Sequence, residues 1–246
     1  MNKKLFGILR LKNIAFYHCC CINNWEIVTD IFFNKLISEK YKLLDEIYVC
    51  CVGDNREKAK QKFSCHEKIK YVDCGEDIGV FEYPTLEFLW NYCQINDCKV
   101  FYFHTKGVTW TESNFNSSKE EFMGRFTTAD MLYDSFVNFI GEFNYKELNR
   151  VLMFILKRLS YFCIEKMELH LAVLDKYDTS GVQVYGDEKK FYLRNFWFAR
   201  SDYIKKLPKP QFTEDRFYAE FWLLSKSSVN FFDMKASDPT KYGIFI

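Results

Sequence analysis

Over its first hundred residues the chain exchanges short, fully apolar runs for segments whose apolar residues recur at helical spacing, and few folds accept that pattern. Ile14 to Cys21 is the first apolar run, and Asn23 and Asn24 after it suit a turn or a helix cap. From Trp25 to Lys40 the residues Ile27, Val28, Ile31, Phe32, Leu36 and Ile37 predict a helix. Ile47 to Val52 reads as a second buried strand closed by Gly53, Asp54 and Asn55, residues 56–63 as a short polar helix, and Ile69 to Val72 as a third strand. Pro84 suits a first helical turn, with Leu86, Leu89, Trp90 and Cys93 on one face. Lys99 to Phe103 is a fourth strand, ending at His104-Thr105-Lys106-Gly107. This succession predicts an α/β fold with a mostly parallel sheet and flanking helices. In such sheets ligands bind at the carboxyl ends of the strands, where the strand order reverses.

The middle of the chain changes character. After a polar loop, Thr109 to Ser118, one helical pattern carries Phe122, Phe126, Tyr133, Phe136, Val137 and Ile140, and a second runs from Val151 through Phe162 toward Leu174. A turn is predicted over Tyr177 to Gly181, extended chain over Phe191 to Ala199, and a helix over Phe212 to Leu224. With no internal repeat and no linker of disordered composition, residues 1–246 read as one domain with a helical insertion around 112–148.

Composition narrows the partners. The 246 residues are 48% hydrophobic and 27% charged, so the chain has material for a substantial core and is not disordered. Lys and Arg number 34 against 33 Asp and Glu, a formal +1, which gives no electrostatic case for nucleic acid or anionic membrane. An aromatic share of 19% fits aromatic-lined clefts and a small or neutral ligand. No apolar stretch approaches the roughly 20 residues of a membrane span. The patch Leu5 to Leu9 is too short for a signal segment, so a reducing, cytoplasmic setting is expected for the ten cysteines. Cys19, Cys20 and Cys21 are consecutive and Cys50 adjoins Cys51; because strand side chains alternate, these neighbours are not expected to share a metal. Cys93 and Cys98 lack the spacing of a zinc pair.

Five blocks carry a resemblance: Glu82-Tyr83-Pro84-Thr85-Leu86, Tyr102 to Gly107, Tyr177 to Val182, Asn195 to Pro208, and Arg216 to Trp222. In this order they resemble a family of small GT-A-type glycosyltransferases of bacteria and large DNA viruses, over nearly the whole chain to about Asn230. The resemblance implies a GT-A-like fold, a nucleotide-diphospho-sugar donor and a glycan acceptor. Many GT-A enzymes hold a divalent metal, manganese or magnesium, on the donor through an Asp-x-Asp motif. Here the matching strand end reads His104-Thr105-Lys106, and Val229 to Asp233 lacks the late metal-binding His of the family pattern, so no metal ligand is assigned.

On this resemblance the donor is expected across Tyr17, His18 and Asp54, with its diphosphate toward His104 and Lys106. Lys106 and Arg216 would neutralise phosphate charge, and Gly107 would permit close approach. His104 serves equally as a hydrogen-bonded packing residue, and Gly107 as a turn residue. Asn195, a polar amide among aromatics, would serve a sugar hydroxyl, and the family's Gly before it is Arg194 here. Trp197 is a sugar platform or a core residue, and Asp178 reads as a turn residue. Glu220 is the candidate catalytic base, four residues after Arg216 on one predicted helical face, with Glu214 and Asp215 in reserve. The alternatives are an ordinary Glu220–Arg216 ion pair and, for the whole chain, a catalytically inactive nucleotide-sugar-binding or scaffolding protein.

Overall fold

A computed structural model describes residues 10–113, 145–186, 188–215 and 217–234. The strands are β1 (Lys12–Cys20), β2 (Glu46–Val52), β3 (Ile69–Asp73), β4 (Cys98–His104), β5 (Thr179–Gly181), β6 (Val184–Tyr185), β7 (Phe191–Tyr192), β8 (Trp197–Arg200) and β9 (Phe231–Asp233). The helices are α1 (Trp25–Lys35), α2 (Arg56–Phe63), α3 (Tyr83–Ile95), α4 (Tyr145–Leu159), α5 (Met167–Val173), α6 (Ser201–Ile204) and α7 (Tyr218–Trp222). Seven strands form one sheet in the order β3-β2-β1-β4-β8-β5-β9, in which β8 runs antiparallel to both its neighbours, β4 and β5, and the other pairings are parallel. The fold is α/β, mostly parallel, with helices on both faces. Among the described residues no helix is long and apolar enough to cross a membrane.

Alternation along β1 divides the core. Ile14 and Phe16 face α3, α6 and α7, while Ala15, Tyr17 and Cys19 face α1, α2, α4 and α5. Both faces are sealed, so β1, β2 and β4 read as nearly continuous apolar runs. Aromatic rings knit the second half of the sheet to the first: Phe101 stacks on Phe103 at 4.6 Å and on Phe198 at 4.3 Å, and Phe198 stacks on His170 at 4.3 Å.

Three expectations change. Thr179–Gly181, read as a turn, is an interior strand; Tyr192 covers Thr179 and Gly181, where a Cβ on the glycine would stand 2.4 Å from the ring, and Ser180 faces His170 on the other side. The helix expected over Phe212 to Leu224 shrinks to Tyr218–Trp222, since Asp215 accepts the Phe217 N–H at 2.9 Å and starts the turn there. The helix predicted to Lys40 ends at Lys35 and widens into a π-type turn, Leu36–Lys40. Most of the expected insertion, residues 114–144, lies outside the described residues.

Three buried histidines give the fold a pH dependence, His104 among them. Burial pushes His18 and His170 down to about 4. Their partners suit neutral rings: Thr85 Oγ1 at 2.8 Å from His18 Nδ1, and for His170 the Ser180 hydroxyl at 2.7 Å and the Phe162 carbonyl at 3.0 Å. The unfolded chain takes up these protons near pH 6.5, the fold only near 4, so stability falls as pH drops through that window. The expected loss is about 2 kcal/mol per histidine by pH 5. Urea melts of the protein and of His170→Gln at pH 7.5 and 5 check this; equal pH slopes for the two would count against it.

Candidate functional site

The strand order reverses between β1 and β4, and a cavity of about 800 Å³ opens at their carboxyl ends. Its floor carries His18 and Cys20 from β1 and His104 from β4. Lys106 and Gly107 follow β4 along one wall, Phe81 and Glu82 come from the approach to α3, and Arg194 from the turn before β8. Tyr185, Phe191, Phe217 and Phe221 add an aromatic wall, and Glu220 of α7 projects from the same side. Lys106 Nζ stands 3.7 Å from Glu220 Oε1, with the two side chains 19% and 21% exposed. A cation and a carboxylate thus meet, each about one-fifth exposed, in the lining of an otherwise largely apolar pocket.

Beneath them lies a polar network that only the folded chain assembles. Glu82 Oε1 is 3.2 Å from His104 Nδ1, and Glu82 Oε2 accepts the Asn195 amide. Asn195 Oδ1 in turn accepts the Trp197 indole N–H at 3.0 Å. The His104 ring nitrogens face the Thr105 and Arg194 carbonyls at 2.9 and 2.8 Å. Burial and the Lys106 charge push His104 down to about 4, so the ring is neutral at pH 7 and donates to one of these acceptors at a time. Arg194 and Asn195 both have left-handed backbones, φ 59° and 58°, and this sharp turn carries the Arg194 carbonyl to His104. The Arg194 backbone conformation is one that glycine adopts freely, and Arg194 holds it at a cost of roughly 1 kcal/mol.

Of the residues expected from sequence, His18, His104, Lys106, Gly107 and Glu220 line one cavity. Tyr17 does not: one step along β1 from His18, it points to the opposite face, fully buried, with its hydroxyl 2.9 Å from Thr29. Asp54 is exposed beyond β2 and outside the cavity lining. Trp197 is 1% exposed, stacked on Tyr102 at 4.8 Å, and is core rather than platform. Asn195 is buried below the cavity and holds Glu82. Arg216 lies outside the described residues, and with it the expected pairing to Glu220; α7 begins at Tyr218, and among the described residues Lys106 faces Glu220. Glu214 and Asp215 are exposed and line no part of the cavity. Asp178 is a structural anchor, 2.9 Å from Arg200 and accepting the Asn230 N–H at 3.0 Å.

Gly107 is a turn residue with a packing reason. Its φ is +76°, and a Cβ there would lie 2.5 Å from Leu152 of α4. Gly107→Ala is expected to cost about 1–3 kcal/mol through backbone strain and overpacking. Thermal melting checks it, and an unchanged midpoint would show that Leu152 yields freely.

The strand end does not suit a divalent ion. Such an ion needs several oxygen ligands, whereas β4 itself ends in a ring engaged with two carbonyls and an ammonium, and the carboxylates nearest it, Glu82 and Glu220, are engaged by Asn195 and by Lys106. Among the described residues the one cluster with metal-ligating spacing lies elsewhere: Cys19, Cys21 and Cys51. Alternation separates Cys20 from its neighbours but puts Cys19 and Cys21 on the same face, which corrects the expectation that these cysteines cannot share a site.

No curated protein sequence matches the chain significantly. Among solved structures it is similar to the 4-diphosphocytidyl-2C-methyl-D-erythritol synthase of Anaerococcus prevotii, with 8% identity, 91% of this chain and 86% of that chain covered, and a TM-score of 0.45. It is also similar to residues 1–349 of S. aureus TarS, with 11% identity, 92% and 59% covered, and a TM-score of 0.39. This chain therefore spans little more than half of that TarS fragment. Residues 16–217 match the family described as "Domain of unknown function (DUF8361)", and the chain belongs to that family.

Proposed function

We propose that the protein is a glycosyltransferase that moves a sugar from a nucleotide-diphospho-sugar to an acceptor hydroxyl. The observation that carries this reading is the Lys106–Glu220 pair in the lining of an aromatic-walled cavity at the switch point of a mostly parallel sheet. The departing diphosphate carries negative charge, and Lys106 supplies a cation at the carboxyl end of β4. Glu220 supplies a carboxylate to take the proton of the attacking hydroxyl. The aromatic wall offers faces for a base or a sugar ring, and the buried Glu82–Asn195 bond fixes the floor against which His104 is held. Because the β4 end is a poor divalent site, no step is routed through a metal.

A thermal-shift panel of uridine, guanosine, cytidine and thymidine diphospho-sugars is the first test. A ligand at a hundred times its Kd adds roughly 2.7 kcal/mol. Donor hydrolysis and transfer are then followed with and without glycan acceptors, in chelator. Transfer that collapses in chelator and returns with manganese would overturn the metal-independent mechanism. The second reading, a nucleotide-sugar-binding protein without turnover, draws on the missing carboxylate pair at His104-Thr105-Lys106. Saturable binding with neither hydrolysis nor transfer would establish it.

A further inference from the structure

β1 and β2 run parallel with Cys19 opposite Cys51, and Cys21 continues the ladder by donating its N–H to the Val52 carbonyl at 2.7 Å. Cys19 and Cys21 share the strand face that packs on α1 and α2, and Cys51 joins them there. All three are fully buried, their sulfurs lie within 4.8 Å of one another, and Cys19 and Cys21 are 3.6 Å apart. Thiolates bound to one ion at about 2.3 Å stand roughly 3.8–4.0 Å from each other, so the three need only small movements to converge on a common centre. The other close thiols, Cys50 with Cys74 and Cys93 with Cys98, meet in pairs.

We propose that Cys19, Cys21 and Cys51 form a three-sulfur site for a soft monovalent cation of the copper(I) class. Among the described residues no fourth His, Cys, Asp or Glu completes the cluster. Zinc in structural sites takes four ligands, whereas soft thiolates select copper(I), which three sulfurs satisfy. Binding is an exchange: each coordinating thiol releases its proton to solvent as its sulfur–metal bond forms, and no electron is transferred. With no exposed sulfur, the ion enters during folding or local opening. Cys20, between two of the ligands, lines the large cavity, so a bound ion would pin the corner that carries it.

The test is reconstitution of the full chain with copper(I) under reductant, followed by elemental analysis, near-UV thiolate-to-copper absorption and thermal melting. Expected are about one tightly held copper per chain and a raised melting temperature. Cys51→Ser and Cys21→Ser are expected to weaken copper binding at least roughly 100-fold, while Cys93→Ser leaves it intact. Metal-free melts show whether the serine variants fold. X-ray absorption on the copper-loaded wild type is independent of them, and three sulfur neighbours at about 2.3 Å are expected. No retained copper in the wild type, full retention in both Cys51→Ser and Cys21→Ser, two sulfur neighbours, or zinc held as tightly as copper would each overturn the proposal.

Discussion

Glu220→Gln is expected to lower transfer turnover at least ~10²-fold while donor affinity holds or improves. The amide keeps the shape of the side chain and removes the base. It also removes the negative charge that Lys106 faces at 3.7 Å in the free protein. A ground-state role for Glu220 would give the opposite pattern, weaker donor binding with turnover preserved. Steady-state kinetics with donor titration separate the two, and near-normal turnover would remove Glu220 from the mechanism. In that event a retaining route without a protein base becomes the better account.

Lys106→Ala is expected to weaken binding of nucleotide-diphospho-sugars roughly 10–100-fold, the range of a charge-assisted contact, and to leave binding of the free nucleoside nearly unchanged. The asymmetry is the diagnostic, because a nucleoside has no phosphate to lose. Calorimetry with both ligands measures it. Equal weakening for both would mean that Lys106 shapes the cavity rather than neutralising its ligand. Raised ionic strength weakens a screened contact, so added salt should shrink the difference between wild type and variant.

The first four strands were legible because buried parallel strands read as unbroken apolar runs, and β1, β2 and β4 are sealed on both faces. β5 was not, since Thr179-Ser180-Gly181 has turn composition and is held by its neighbours β8 and β9. The site was half legible. His104 and Lys106 stand at a strand end, where position alone marks them, whereas the same position at Tyr17 and Asp54 carries no information on which way each side chain points. Glu82 carries no signal of its role, because its partner Asn195 lies 113 residues away. Nothing local in Glu82-Tyr83-Pro84 distinguishes it from an ordinary acidic residue before a helix. The cysteines show the same limit: alternation separates adjacent residues, while it brings together Cys19 and Cys21, two apart.

The sheet also has a seam. Residues 12–104 supply β3-β2-β1-β4 and residues 179–233 supply β8, β5 and β9, and among the described residues the two parts of the sheet are joined by the antiparallel pairing of β4 with β8. The cavity exists only where the parts meet: His18, Glu82, His104 and Lys106 on one side, Tyr185, Arg194 and Glu220 on the other. An occupant is therefore a rivet. Its binding free energy is added to the docking of one part on the other rather than to the local stability of β2 or β3. A substitution that loosens the β4–β8 contact, such as one at Phe101 or Phe198, would then register as lost affinity at a site that neither ring touches.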